Sequence, residues 1–183
     1  MKPSRRAAFL DRDGTLIEDS NYLADANRVR LLHGVADVVR TLNDGGILVI
    51  VVTNQSGIAQ GLITESQYEA TRDRLVSLMK DAGASIDATF HCPHHPAVNG
   101  PCECRKPGTL LYRRAAEQFG IDLAESLYVG DRDRDIAPGL VFNGFVRLVP
   151  SPSTPEPELN SARERGLLAT SLDECVEAYL KRQ

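Results

Sequence analysis

Residues 47–52 read Ile-Leu-Val-Ile-Val-Val, and residues 53–57 behind them read Thr-Asn-Gln-Ser-Gly. An uninterrupted apolar run predicts a strand that is buried on both faces, as strands inside a parallel sheet are. Shorter apolar runs at residues 7–10, 126–129 and 145–149 predict three further strands. The polar residues 53–57 therefore lie where one of these predicted strands ends.

Segments with helical periodicity separate the predicted strands. A first helix is expected to end at Gly45 and Gly46, and four apolar residues share one of its faces: Val35, Val38, Val39 and Leu42. A second helix is predicted to begin at Thr64, because Gln67 completes a capping-box pattern three residues later. The residues of this helix that would face the core are Tyr68, Leu75, Leu78 and Met79.

Two more helices complete the pattern, one over about residues 109–119 and one over about residues 171–181. In the last helix, Ser171 and Glu174 form another capping-box pattern, and Cys175 is predicted to be a core residue. Alternating strands and helices predict an α/β fold with a parallel sheet, which binds ligands at the carboxyl ends of its strands.

Prolines interrupt this alternation at two places. Pro138-Gly139 is expected to break the helix that should follow Asp135. The four prolines of residues 150–157 predict an extended surface connection within the domain.

Length and composition restrict the class of protein. The chain has 183 residues, of which 42% are hydrophobic and 25% charged, and this predicts one globular domain over residues 1–183. No apolar run is long enough for a transmembrane helix, and residues 7–10 are too short for a signal-peptide core, so we expect a cytoplasmic protein. A net charge of −4 argues against nucleic-acid and membrane partners and favours a small molecule. A monomer is expected.

Acidic residues follow two of the predicted strands. Asp11 and Asp13 come directly after residues 7–10, and two carboxylates at this spacing can converge on one Mg²⁺ ion. A phosphoryl group held there would be open to attack by the Asp11 carboxylate. Asp131 follows residues 126–129 and could complete the metal site, while Asp135 could orient Lys106 or the waters on the metal. Each acidic segment, taken alone, also fits a solvated turn.

Donors for a phosphate group are expected at the same edge of the sheet. The hydroxyl, amide and N–H groups of residues 53–57 could bind phosphoryl oxygens. Lys106 could place a positive charge on the phosphoryl group, and Arg105 could bind a second anionic group. The alternatives are an ordinary polar turn and a surface position for Lys106. Because parallel strands end at one edge, we predict that all these segments converge.

Three of the four cysteines lie within residues 92–104. Cys-Pro-His and Cys-Glu-Cys offer three thiols and one imidazole, a closed set suited to a tetrahedral structural Zn²⁺ in a loop over residues 91–105. His91 and His95 also flank the first cysteine, but only His94 gives a Cys-x-His pair that matches Cys-x-Cys. The predicted ligands are Cys92, His94, Cys102 and Cys104. A redox pair and unligated thiols are the alternatives.

Together, these motifs resemble those of the haloacid-dehalogenase-like phosphatases. The four ordered motifs of that family match residues 11–15, Thr53, Lys106, and Gly130-Asp131 with Asp135. Cys-Pro-His-His-Pro at residues 92–96 and Cys-x-Cys-Arg-Lys-Pro at residues 102–107 resemble its zinc-bearing branch, which includes heptose 1,7-bisphosphate phosphatases and histidinol-phosphate phosphatases. Residues 9–15 and 51–61 favour the heptose members. The resemblance extends from about residue 7 to the last helix.

The resemblance implies a Rossmann-like three-layer sandwich around a central parallel sheet. It implies that Asp11 attacks phosphorus, that Asp13 acts first as an acid and then as a base, and that Thr53 and Lys106 steady the phosphoryl oxygens. It further implies that Mg²⁺ is held by Asp11, the backbone carbonyl of Asp13, and Asp131. The implied substrate contacts are Asp19, Ser20, Asn21, Tyr22, Thr53, Asn54, Gln55, Ser56, Arg105 and Arg132.

The predicted function is a Mg²⁺-dependent phosphatase that removes the 7-phosphate of a heptose 1,7-bisphosphate. Only 39 residues separate Asp13 from Thr53 and 52 separate Thr53 from Lys106, which leaves no room for a separate cap domain. The alternative enzyme is a histidinol-phosphate phosphatase, which the short stretch between His94 and Cys102 favours. A zinc-stabilised binding protein is opposed by the complete set of catalytic residue types, and a phosphatase of nucleic-acid ends by the negative net charge.

Overall fold

The sheet of this protein is entirely parallel. The structure is a computed structural model that describes residues 4–182, so the predicted domain limits at residues 1 and 183 lie outside the described residues. The described strands follow the order β3-β2-β1-β4-β5. They are β1 (Ala7–Leu10), β2 (Leu48–Asn54), β3 (Ala88–Cys92), β4 (Leu127–Gly130) and β5 (Phe145–Leu148).

The four strands predicted from apolar runs are confirmed to within two residues at each end. β3 reads Ala-Thr-Phe-His-Cys and has no such run, because four of its five residues are only half-buried at the edge of the sheet. Its position beside β2 brings Cys92 level with Asn54.

Helices connect the strands. Those in the described part of the chain are α1 (Val35–Asp44), α2 (Glu65–Asp81), α3 (Pro96–Asn99), α4 (Leu110–Phe119), α5 (Asp133–Val141), α6 (Glu156–Glu164) and α7 (Leu172–Leu180), with a 3₁₀ turn at Ala26–Arg28. No helix within residues 4–182 is both long and apolar enough to cross a membrane.

Helices cover both faces of the sheet. Alternate strand residues such as Leu10 and Val49 pack against α1, α2 and α7, while Phe9 and Ile50 pack against α4, α5 and α6 on the other side. The expected three-layer α/β fold is therefore confirmed. Between β1 and α1, the described chain forms a loop with a single 3₁₀ turn rather than a cap domain.

The helix ends agree with the sequence in part. At α2 the capping box is complete, since Thr64 Oγ1 accepts from the Gln67 N–H at 3.1 Å and Gln67 Oε1 accepts from the Thr64 N–H at 2.8 Å. At α7, Ser171 Oγ accepts from the Glu174 N–H. The Glu174 carboxylate, however, accepts from the Thr170 N–H and not from the Ser171 N–H, so the complete capping box predicted there is wrong.

The burial predicted for the helices is largely confirmed. The side chains of Tyr68, Leu75, Met79 and Cys175 are buried as predicted. Leu78 is only half-buried at the margin of the core.

Of the two expectations drawn from proline, the break in the helix after Asp135 is wrong. α5 continues through Pro138 to Val141, because Pro138 and Gly139 are buried against the sheet and that packing offsets the lost hydrogen bond. The surface connection predicted over residues 150–157 is confirmed in part. Residues 150–155 join β5 to α6 and all but one of them are exposed or half-buried, but they form a turn, and α6 already begins at Glu156. Thr154 in this turn is buried.

Candidate active site

The carboxyl ends of β1, β2 and β4 surround a cavity of about 350 Å³. Of the residues predicted for catalysis, substrate binding and Mg²⁺, Ser20 does not line it. Those that do are Asp11, Asp13, Asp19, Asn21, Tyr22, Thr53, Asn54, Gln55, Ser56, Arg105, Lys106, Asp131 and Arg132. The predicted convergence of the polar segments on one edge of the sheet is therefore what the structure shows.

Three buried carboxylates form the floor of this cavity. Oxygens of Asp11, Asp131 and Asp135 lie within 4.8 Å of one another. Lys106 Nζ lies 2.7 Å from Asp11 Oδ1 and 2.8 Å from Asp135 Oδ1, so Asp135 orients Lys106 as expected. Burial, reinforced by the Asp135 charge and opposed by Lys106, raises the pKa of Asp11 to about 6. Asp11 is thus still largely ionised at neutral pH.

This acidic floor suits a hard divalent cation. Burial raises the pKa of Asp131, although a hydrogen bond from Ser151 Oγ, 2.5 Å from Asp131 Oδ2, opposes the shift. A Cβ at Gly14 would lie 2.6 Å from the same Asp131 oxygen, so the glycine leaves room for this approach. Converging carboxylate oxygens with one ammonium beside them fit Mg²⁺, which takes one or two carboxylates together with phosphate oxygens and water.

The Asp13 carboxylate turns away from this floor. Gln55 Nε2 donates to Asp13 Oδ2 at 2.9 Å, and Thr53 Oγ1 lies 3.5 Å from the same oxygen. The Asp13 carboxylate is thus not among the three that converge on the floor. Asp11 and Asp13 therefore have separate surroundings although they are two residues apart.

Asn54 joins the end of β2 to the loop that carries Lys106. Its side chain donates to the Lys106 carbonyl at 3.1 Å and accepts from the Lys106 N–H at 2.9 Å. Lys106 Nζ also donates to the Val52 carbonyl at 2.7 Å. These bonds hold a long, flexible side chain in one position. Burial alone would lower the pKa of Lys106, but the charges of Asp11 and Asp135 outweigh it, and the pKa is raised.

The loop at residues 19–22 forms one wall of the cavity. Asn21 and Tyr22 have positive φ angles of 32° and 56°, and a Cβ at Gly57 would lie 2.5 Å from the Tyr22 ring. Gly57 therefore lets the Tyr22 ring lie on the β2 loop. Asp19 accepts from Ser153 Oγ at 3.0 Å, which joins this wall to the turn before α6.

The two arginines among the predicted substrate contacts differ in their partners. Arg105 donates from Nη1 to the His94 carbonyl at 3.2 Å, so its charge has no carboxylate partner among the described residues. Arg132 is paired with Glu158 through Nε and Nη2 at 2.9–3.2 Å. Burial alone would raise the pKa of Glu158, but hydrogen bonds from Arg132 and the Asp133 N–H lower it. Glu158 thus offsets much of the Arg132 charge.

The four predicted zinc ligands lie together, next in sequence to the cavity residues His95 and Arg105. Five of the six distances between the ligand atoms run from 3.0 Å, between the sulfurs of Cys92 and Cys104, to 3.9 Å, between Cys92 Sγ and His94 Nδ1, and all four atoms lie within 4.8 Å of one another. A tetrahedral Zn²⁺ with bonds of ~2.0–2.3 Å requires ligand separations of ~3.4–3.8 Å, which is close to this range. The cysteines are free thiols, which excludes a disulfide between them in this structure. His95 instead caps α3 and lines the cavity.

Sequence reasoning missed several residues of the site. Arg12 is buried beside Asp13, and Arg134 lines the cavity from α5. Ser151 and Thr154 bind the Asp131 side chain and backbone carbonyl from a segment predicted to be a surface connection. The sequence contains one indication of the role of Arg12. An arginine between two carboxylates, directly after a buried strand, is expected to be paired with one of them.

The comparisons with known proteins agree with this geometry. The family profile described as "Polynucleotide kinase 3 phosphatase" matches residues 6–139. The chain is 35% identical to the D-glycero-beta-D-manno-heptose-1,7-bisphosphate 7-phosphatase of Escherichia coli strain K12, over all of this chain and 98% of that protein. It is 37% identical to the Yersinia pestis protein of the same name, over 78% of this chain and 79% of that protein.

A solved structure agrees as closely. The D,D-heptose 1.7-bisphosphate phosphatase of B. bronchiseptica, complexed with magnesium and phosphate, has a TM-score of 0.84 at 29% identity and covers 97% of this chain and 99% of its own. The fold and the cavity define a haloacid-dehalogenase-like phosphatase, a phosphoric monoester hydrolase. Within that class, the chain belongs to the family of the heptose 1,7-bisphosphate phosphatases.

Proposed function

We propose that this protein removes the 7-phosphate of D-glycero-D-manno-heptose 1,7-bisphosphate through an aspartyl-phosphate intermediate. The observation that carries the proposal is the pairing of a buried Asp11–Lys106 contact with a separately held Asp13 at the edge of one cavity. The relatives named above support the choice of substrate over histidinol phosphate. The sequence-based expectations of a single domain, a monomer and a cytoplasmic location stay part of this proposal.

The reaction assigns one step to each carboxylate. An Asp11 oxygen attacks phosphorus, the bond from phosphorus to the sugar oxygen breaks, and that oxygen takes a proton from Asp13. In the second step a water attacks phosphorus and gives its proton to Asp13, while the bond to Asp11 breaks and inorganic phosphate leaves. Asp13 is therefore restored to its protonated form and Asp11 to its carboxylate.

The remaining cavity residues bind and orient the phosphoryl group. Thr53 and Lys106 would contact its equatorial oxygens, where charge is spread in the transition state. Asp11, the backbone carbonyl of Asp13, and Asp131 would hold Mg²⁺, with Asp135 beside them. When bound, the ion would screen the repulsion between the Asp11 carboxylate and the phosphoryl oxygens. Zn²⁺ held by the cysteine and histidine cluster would have a structural role only.

A second phosphate on the substrate would lie beyond the reacting one. We assign this contact to Arg105, because its charge is not paired with a carboxylate of the described residues. Arg132 remains a predicted substrate contact, with Glu158 reducing its contribution. Asp19, Asn21, Tyr22 and residues 53–56 would contact the sugar between the two phosphates.

A panel of phosphate esters tests the proposal. Phosphate release is measured with both anomers of the heptose 1,7-bisphosphate, with histidinol phosphate and with an oligonucleotide that ends in a 3′-phosphate. We expect the heptose bisphosphate to have the highest kcat/KM and Asp11→Asn to abolish turnover with the fold intact. A higher kcat/KM for histidinol phosphate or for the oligonucleotide would refute the substrate. Retention of a tenth of the activity by Asp11→Asn would refute the mechanism.

A further inference from the structure

A buried arginine lies between the two aspartates of the first loop. The Arg12 side chain is only 2% exposed. Its Nε lies 3.2 and 3.0 Å from the two carboxylate oxygens of Asp13, and its Nη2 lies 2.9 Å from Oδ1. Both Asp13 oxygens therefore accept from one planar guanidinium, the geometry that best fixes the orientation of a carboxylate.

The other side of the guanidinium is anchored on α2. Nη1 donates to Thr71 Oγ1 at 3.2 Å, and the Thr71 hydroxyl donates in turn to the Tyr68 carbonyl at 2.8 Å. The guanidinium carbon lies 5.4 Å from the centroid of the Tyr68 ring, within the range of a cation–π contact. Arg12 is thus fixed by a helix of the scaffold, not by the loop that carries it.

The backbone after β1 is shaped for this pairing. Neighbouring side chains in a strand point to opposite faces, so Arg12 and Asp13 can pair only if the chain turns between them. The Arg12 carbonyl accepts from the N–H groups of Leu16 and Ile17 at 2.9 and 3.1 Å, and Gly14 has a φ of +78°. This tight turn brings the Asp13 carboxylate back against the Arg12 side chain.

Without Arg12, Asp13 would have few other donors among the described residues. The Asp13 side chain is 24% exposed, and its remaining contacts are with Gln55 at 2.9 Å and Thr53 at 3.5 Å, both on the same oxygen. A carboxylate at the mouth of a cavity with one good hydrogen bond can adopt other rotamers. A proton donor misplaced by about 1 Å can lose about 100-fold in rate.

We infer that Arg12 is a positioning residue, which fixes the orientation of the Asp13 carboxyl group in the cavity by joining it to α2. The inference rests on the proposed function, in which Asp13 protonates that oxygen. The alternative is that Arg12 only stabilises the fold. A structural arginine would affect all substrates alike, whereas a positioning arginine affects those whose leaving group needs a proton.

Two esters separate these cases. A sugar leaves as an alkoxide and needs the proton of Asp13, whereas p-nitrophenyl phosphate releases a stable phenolate without it. In Arg12→Met we expect kcat for the heptose bisphosphate to fall on the order of 100-fold with KM within about twofold. The nitrophenolate released in the first turnover, before water attack on the intermediate limits the rate, should change less than about threefold. Arg72→Met is the matched control, because Arg72 pairs with Asp73 on the surface of α2 and should leave both rates within about twofold.

A second variant and a crystal structure keep the inference testable if Arg12→Met does not fold. Thr71→Val removes the anchor on α2 while both members of the Arg12–Asp13 pair remain, and it should show the same selectivity with a smaller loss. A crystal structure of either variant should show the Asp13 carboxylate displaced, a readout that does not depend on activity. Equal losses on both esters, or an undisplaced Asp13 with an unchanged rate, would overturn the inference. Failure of the wild type to hydrolyse any alkyl ester would instead refute the proposed function.

Discussion

At the scale of single residues, the site gives two similar carboxylates different neighbours, and the proposed mechanism gives them different tasks. Asp11 is buried with Lys106 and Asp135, and its pKa is raised to about 6 mainly by burial. Asp13 is partly exposed and held by Arg12 and Gln55. In the proposed mechanism the buried Asp11 would attack phosphorus, and the more exposed Asp13 would be the one that a leaving group and a water can reach.

Substitution of Arg105 can show how the cavity distinguishes a bisphosphate from a monophosphate. Arg105→Ala should lower kcat/KM for a bisphosphate roughly 10- to 150-fold, since a guanidinium–phosphate contact contributes about 1.5–3 kcal/mol. A monophosphate that does not reach Arg105 should be nearly unaffected. Steady-state kinetics on both esters measure this.

Arg132→Ala provides the comparison for Arg105→Ala. It should cost less on the bisphosphate, because Glu158 already pairs with Arg132. Equal losses on the two esters in Arg105→Ala would mean that Arg105 orients the whole site and does not read a second phosphate.

At the scale of elements, the sequence predicts what depends on local patterns and misses what depends on tertiary contacts. β2 is predicted because six consecutive apolar residues are buried on both faces. α5 is predicted to break at Pro138 because its packing on β4 is invisible in the sequence. The convergence of the polar segments that follow β1, β2 and β4 is predicted correctly, because all strands of a parallel sheet end at the same edge. Ser151 and Thr154 are missed because they reach Asp131 across 20 or more residues.

Gly139 tests the close packing of α5 on the sheet. A Cβ at this position would lie 2.6 Å from the Tyr128 ring and would also meet Val146. Gly139→Ala should therefore lower the free energy of unfolding by about 1–3 kcal/mol, measured by urea denaturation. The control Val141→Ala, at an exposed position of the same helix, should stay within about 0.5 kcal/mol of the wild type. A more stable Gly139→Ala protein would show that α5 does not approach β4 this closely.

The zinc content of the protein tests whether the cysteine and histidine cluster is a metal site. Protein purified without added zinc should contain about one equivalent of Zn²⁺, and Cys102→Ser should lose it, because a structural site needs four ligands. Cys175→Ala should keep the zinc, since Cys175 packs on the opposite side of the sheet from Cys92 and Cys104. Metal analysis by mass spectrometry measures the content.

Removal of zinc should also change the kinetics of the enzyme. Because Arg105 directly follows Cys104, zinc removal by a chelator should raise KM for a bisphosphate more than it lowers kcat. A zinc-free protein as isolated, or a disulfide between Cys102 and Cys104, would contradict the assignment.

At the scale of the whole molecule, the parallel sheet concentrates negative charge at one edge. Asp11 follows β1, Asp131 follows β4 and Asp135 lies in the first turn of α5, yet their oxygens lie within 4.8 Å. Lys106 is the cation in direct contact with two of them. The fold thus holds together groups that repel one another, and a bound cation would relieve that repulsion in the folded state alone.

Mg²⁺ should therefore stabilise the folded protein. An ion that binds only the folded state adds about 2.7 kcal/mol at 100 times its Kd, which corresponds to a rise in Tm of roughly 5–11 °C for a chain of this size. In Asp131→Asn we expect a higher Tm than the wild type in a metal chelator, because one buried negative charge is gone, and a much smaller rise on adding Mg²⁺. Asp173→Asn, an exposed carboxylate on α7, should keep the full rise. Differential scanning calorimetry with and without Mg²⁺ measures all three proteins, and an undiminished rise in Asp131→Asn would place the ion elsewhere.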